Sequence, residues 1–144
     1  MANKNAPFGA RVVGKLGSAP QVNGTTEYAI ASGASGNIFS GDLVKMTNAG
    51  TIFVIDDPDA VFEIQSAGSP AQTDVGLNAD ISYTAGSVKT GMSAMELSGT
   101  TAATTATFRI MGFSSDPDNS TTGSANVNVI VKFNEHFYVD PTGV

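Results

Sequence analysis

Few side chains able to do chemistry occur in this 144-residue chain, and they are scattered. A hydrolase of the serine type needs a nucleophile beside a positioned base. The single histidine, His136, sits in Asn134-Glu135-His136-Phe137 near the C-terminus, and no Gly-x-Ser-x-Gly elbow occurs. His136 therefore reads as a surface or tail-packing residue. Glu63 and Asp80 could pair as glycosidase carboxylates, but nothing in the sequence sets them at the separation that chemistry needs. Asp57 with Asp59, and Asp116 with Asp118, each flank a proline and gather oxygen ligands suited to calcium. The EF-hand spacing is absent, and Asp and Pro form turns for ordinary backbone reasons. Ser32-Gly33-Ala34-Ser35-Gly36 lacks the Gly-Lys-Ser/Thr ending of a phosphate loop and reads as a flexible turn. Cysteine is absent altogether, which removes thiol catalysis, disulfides and Cys-based zinc sites together. The residues point to no enzyme, no cofactor and no metal.

The elements that would position such residues are strands. Val and Ile number 13 and 8 against 4 Leu, and 16 Gly and 6 Pro punctuate the chain. Many β-branched residues, few Leu and frequent turn formers predict an all-β fold of short strands, a small β-sandwich or β-barrel. Tyr28 and Ile30 share one face of an expected strand over residues 27–30. Further short strands are expected near residues 37–39 and 43–46. The unbroken apolar run Thr51-Ile52-Phe53-Val54-Ile55 predicts a strand buried on both faces, with residues 61–65 as its hairpin partner across Asp56-Asp57-Pro58-Asp59. Residues 70–75 suit one helical turn, residues 80–83 a strand, and residues 84–105 carry only scattered apolar positions. Residues 107–111 and 126–133 are the clearest strands, the second alternating through Val127, Val129, Val131 and Phe133. Residues 114–123 between them predict a long exposed hairpin tip. Asn23-Gly24-Thr25 and Asn119-Ser120-Thr121 match glycosylation acceptors, but no apolar signal core precedes them at the N-terminus.

Charge divides the chain into an extended N-terminal arm, residues 1–26, and a single β domain, residues 27–144. The arm carries Lys4, Arg11 and Lys15 and no acid, hence +3, while the body holds all 13 acids and four bases, hence −9. An acidic body repels phosphate and argues against nucleic acid as a partner. No run of about 18 apolar residues is available to span a membrane. Within the arm, Phe8, Val12, Val13 and Leu16 are apolar residues out of place in a purely solvated tail. Together with Lys4, Arg11 and Lys15 they form the expected partner-binding set, the apolar residues supplying affinity and the charges orientation.

Several stretches carry a resemblance. Asn5-Ala6-Pro7-Phe8-Gly9-Ala10-Arg11, Tyr28-Ala29-Ile30-Ala31-Ser32-Gly33, Ile38-Phe39-Ser40-Gly41-Asp42-Leu43-Val44-Lys45 and Gly50-Thr51-Ile52 are similar to the capsid decoration (cement) proteins of tailed bacteriophages, the aquatic-phage type. Asp74-Val75-Gly76-Leu77-Asn78-Ala79-Asp80-Ile81 and Phe108-Arg109-Ile110-Met111-Gly112-Phe113 extend the resemblance over most of the chain. The stretch after Gly50-Thr51-Ile52 is short against the family pattern, which alters any surface the family places there. The resemblance implies a structural virion protein, made in the host cytoplasm, that sits on the outer capsid surface and bridges major capsid proteins. It implies a homo-oligomer, with a trimer favoured, and no catalytic residue or cofactor. A carbohydrate-binding or receptor-binding β-sandwich module of a phage particle is the alternative, although such a module wants exposed aromatics and the chain has no Trp and only Tyr28, Tyr83 and Tyr138 besides Phe.

Overall fold

A computed structural model describes residues 3–17, 25–30, 36–44, 51–102, 106–117, 119, 122–136 and 138–139. Short strands prevail, as composition predicts: β1 (Arg11–Lys15), β2 (Thr26–Ala29), β3 (Thr51–Val54), β4 (Ala60–Gln65), β5 (Asn78–Ser82), β6 (Glu96–Ala102), β7 (Phe108–Phe113) and β8 (Asn128–Phe133). One 3₁₀ turn, Gln72–Asp74, stands where a helical turn was expected. Six strands form an antiparallel sheet in the order β1-β4-β8-β7-β5-β6, and β2 pairs with β3 in a separate two-stranded ribbon. The fold is all-β.

Side-chain alternation builds the core. Phe62 and Ile64 of β4, Leu97 of β6, Phe108 and Ile110 of β7, and Val129 and Val131 of β8 point to one side of the sheet and are buried together with Ala60, Ala79 and Val127. The Phe133 ring lies 4.5 Å from Phe108 and 5.2 Å, edge-on, from Phe62, closing one end of this layer with aromatic contacts. The sheet curls until its last strand returns to its second. Ser66, just past β4, bridges Leu97 in parallel, and the Ala67 N–H donates to the Leu97 carbonyl at 2.9 Å. Among the described residues the ring closes through this short contact and not through a continuous barrel ladder. The contact is tight because two glycines meet in it: a Cβ on Gly68 would lie 2.3 Å from the Cα of Gly99.

Five expectations change. Residues 51–54 do not form a hairpin with residues 61–65, because β3 pairs with β2 while β4 lies between β1 and β8. Nor is β3 buried on both faces, since Phe53 is 70% exposed. The doubly buried strand is β4, all six of whose residues are buried. On its outer face Gln65 is covered by the backbone of Lys4 and Ala6 and Glu63 by Arg11, so part of the expected extended arm is a layer of the domain, and β1 is a strand of its main sheet. Strand β6 forms in a stretch with little apolar signal, from which Leu97 reaches the central cluster. No strand forms over residues 37–39 or 43–44, and Lys45 and Met46 lie outside the described residues.

The Gly68–Gly99 contact makes a test of the curl. Gly68→Ala should cost about 1–3 kcal/mol through overpacking of backbone on backbone, whereas Gly112→Ala, where a Cβ meets nothing within 4 Å, should leave thermal stability almost unchanged. Equal melting temperatures for the two variants would show that the sheet does not close there.

Candidate partner-binding interface

The N-terminal segment is strapped over β4 by polar contacts. Gln65 is the centre: its Nε2 donates to the Lys4 carbonyl at 2.9 Å and the Asn126 carbonyl at 3.2 Å, while its Oε1 accepts the Ala6 N–H at 2.9 Å. Two residues along β4, the buried Glu63 pairs through Oε2 with the Arg11 guanidinium, which also sits 4.9 Å above the Phe8 ring. Such a cation over an aromatic face gains from the ring quadrupole. The strap then passes a glycine crossing. Gly9, at φ +75°, lies so close to Gly41 and Ser93 that a Cβ would be 2.4 Å from the Gly41 carbonyl oxygen. The Ala10 N–H donates to that same carbonyl at 2.8 Å. Only glycine combines this backbone angle with this approach.

Placed residue by residue, the expected partner-binding set divides. Arg11 and Lys15 are engaged within the fold, Arg11 by Glu63 and Lys15 by Asp57 at 2.5 Å. Val12 packs against the core, and Phe8 lies partly buried under Arg11. Lys4, Val13 and Leu16 remain at the surface, the last two 49% and 40% exposed. The bases of the arm therefore meet the acids of its own body first. Exposed apolar residues that the sequence reading passed over include Phe53, Val88 and Met92. Their signal was hidden: Phe53 stands in an unbroken apolar run that predicts a buried strand, and the others in a stretch with only scattered apolar positions.

The candidate chemical residues are not brought together. Glu63 and Asp80 lie on β4 and β5, with β8 and β7 between them, and Asp80 accepts from Thr107. Asp57 accepts the Asp59 N–H at 2.9 Å in a turn, and Asp59 faces Lys132 at 3.0 Å. Asp118 lies outside the described residues. Asn119 is not at a free tip. Its side chain is 7% exposed and clamps the backbone of Asn128, accepting its N–H at 2.6 Å and donating to its carbonyl at 2.8 Å. The expected exposed hairpin is thus fastened at its middle, and this amide is occupied within the fold.

A second polar cluster fixes the C-terminal segment. The Tyr28 hydroxyl donates to Asp56 Oδ2 at 2.6 Å and lies 3.0 Å from the Tyr138 hydroxyl, and Thr26 donates to the other Asp56 oxygen at 3.0 Å. The His136 ring stacks on Tyr138 at 5.6 Å, and His136 Nδ1 accepts the Tyr138 N–H at 3.3 Å. Burial pushes the imidazole down from its usual value, against the opposing pull of Asp56 and Asp57. The Tyr28 bond holds the Asp56 carboxyl below its ordinary range, and Asp56 in turn pushes the Tyr28 phenol upward. Lys15 holds Asp57 low in the same way.

Two clefts flank the strap. The first, about 290 Å³, is lined mainly by Phe8, Ala10, Val12, Ile55 and Met92 with Arg11 at its border. The second, about 230 Å³, is polar and lies between Asn3, Lys4 and the Asn119–Asn128 clamp. No protein family, curated protein or solved structure matches the chain.

The carboxylates define a pH dependence. A lowered folded pKa contributes stability above the unfolded Asp value of about 3.9, lost as pH falls through the folded value. Tyr28→Phe should raise the Asp56 pKa toward its ordinary value and leave Asp57, held first by Lys15, where it is. Carboxyl titration by NMR reads both groups at once. An unmoved Asp56 would mean that the hydroxyl does not hold it.

Proposed function

We propose that the chain is a structural protein of a tailed-phage particle, decorating the outer capsid surface and bridging major capsid proteins as a homo-oligomer. One observation carries this reading. The stretches that bear the family resemblance meet one another in space. Phe8-Gly9-Ala10 crosses Ser40-Gly41, with the Ala10 N–H on the Gly41 carbonyl. The stretch over residues 74–81 likewise ladders with β7: Gly76 N–H donates to the Ile110 carbonyl at 2.8 Å, and Ile110 N–H to the Leu77 carbonyl at 2.9 Å. Residues scattered along the sequence thus serve paired roles in one framework, as the members of a fold signature must. Exposed Val13 on the edge strand β1, and Leu16 just past its end, add apolar contact area that the isolated domain does not use.

The site chemistry is that of adhesion. Apolar area supplies affinity at a protein–protein contact, and the surrounding acidic body sets which surfaces are repelled. A glycan-binding module needs aromatic platforms. Tyr28 and Tyr138 are engaged with each other, and Tyr83 and Phe53 stand exposed on separate strands or loops without forming a shared platform by any described ring contact.

The test is occupancy on undecorated shells assembled from the major capsid protein of the parent phage. Deleting the arm would remove β1 and uncover β4, so the informative variant is the double change Val13→Asp with Leu16→Asp. Losing roughly 1 kcal/mol at each half-exposed residue should weaken binding about 10- to 30-fold, with the melting temperature unchanged. Wild-type protein that leaves the shells bare at saturating concentration would refute the decoration role. Undiminished occupancy of the variant would move the contact elsewhere on the surface.

A further inference from the structure

The β2–β3 ribbon ends in an exposed aromatic side chain. Phe53 is 70% exposed on a two-stranded sheet, and isolated two-stranded ribbons are marginal in water. One face of this ribbon is tied down by the Tyr28–Asp56 bond. On the other, Phe53 sits directly across from exposed Glu27 in the strand register. No described cation forms an ion pair with Glu27. The knob offered is therefore one ring with one carboxylate beside it.

The first cleft beside the strap is its complement. It is bounded by Phe8, Val12, Ile55 and Met92, is predominantly apolar, and measures about 290 Å³. Small-molecule pockets run from about 300 to 1,000 Å³, so this cleft falls short of a ligand site while offering room for a single aromatic side chain. Arg11 borders it with its side chain 60% exposed, although one nitrogen is committed to Glu63. A guanidinium carries five N–H donors, so further donors remain for a second carboxylate. Phe53 is not among the lining residues of its own copy's cleft.

We infer that Phe53 of one copy seats in the Phe8–Val12–Ile55–Met92 cleft of a second copy, with Glu27 meeting the exposed side of Arg11. Ring and cleft match in size and polarity, and carboxylate and guanidinium match in charge. The contact joins two different patches; repeated head-to-tail, it leaves each copy one knob and one cleft for the next. Phe53 and Ile55 are two residues apart, which places knob and cleft at the same end of the molecule. That proximity favours closure about an axis near that end, as a small ring, over extension as a filament. This deepens the homo-oligomer part of the proposed function and does not depend on what surface the ring rests upon.

The experiment needs only the purified chain. Phe53→Glu disables the knob and Met92→Glu the cleft; both residues are exposed, so thermal unfolding should match the wild type. Light scattering coupled to gel filtration should show the wild type as a ring at several times 14.7 kDa. Each variant alone should be monomeric, its association weakened by about 30-fold or more, as for a central aromatic anchor. Mixed in equal amounts, the two variants should yield a species of two copies and nothing larger, because one intact knob meets one intact cleft. A monomeric wild type, variants that assemble like the wild type, or a mixture without pairs would each overturn the inference. A ring that leaves shells bare would refute decoration while sustaining the ring, and a monomer that decorates shells would do the reverse.

Discussion

The structure depends on the burial of β4 on both faces. One face is ordinary core, with Phe62 and Ile64 packed among valines. The other carries Glu63 and Gln65, each only 3% exposed, and a buried amide or carboxylate is costly unless it is hydrogen-bonded. The N-terminal segment resolves that constraint by bringing backbone partners to Gln65 and a guanidinium to Glu63. Glu63 Oε1 still lacks a partner among the described residues, a desolvation cost of about 1–3 kcal/mol. The strap is therefore held by polar complementarity. Its glycine crossing at Gly41 fixes where it lies, and the polar contacts fix its register.

Seen from this contact, the charge division of the sequence changes meaning. A basic N-terminal stretch before an acidic body suggested attraction to another molecule. Within the fold, Arg11 and Lys15 answer Glu63 and Asp57, while Lys132 answers Asp59. The Arg11–Glu63 and Lys15–Asp57 partners lie 52 and 42 residues apart in the chain and must find each other as β1 meets β4. The part-exposed Lys15–Asp57 and Lys132–Asp59 pairs contribute only about 0–1 kcal/mol each, whereas Arg11 offsets the desolvation of the buried Glu63 carboxylate. They select the register of β1 against β4 more than they stabilise it.

Strands β7 and β8 were legible because alternation there is strict and the core face is filled by Val and Phe. The β2 and β5 segments were legible from apolar residues bounded by turn formers. Pairing was not legible where it is non-local. Residues 51–55 and 61–65 look like a hairpin to any local rule, yet Asp57 closes a turn with the Asp59 N–H and sends the chain into a different sheet. Strand β6 escaped notice because Gly99 and its threonines carry no apolar period; it is held by its ladder to β5 and by the close approach at Gly68. For the partner-binding set, residue type showed which side chains could adhere. It did not show that Arg11, Lys15 and Val12 were already committed at home.

The two edges of the main sheet also limit how copies or partners can meet. An open edge strand is a template for another chain and a hazard for fibrous aggregation. At β1 the register shifts between Val12 and Gly14, so Val13 is an extra residue opposite β4 and the edge is bulged. Bulges twist an edge and interrupt its ladder, which disfavours strand addition. At the other end, β6 is turned back on the continuation of β4 through Ser66 and Leu97. With one edge bulged and the other folded inward, association is left to side chains on defined patches. Side-chain contacts have a fixed geometry and can close, whereas a free strand edge accepts any passing strand and continues without limit.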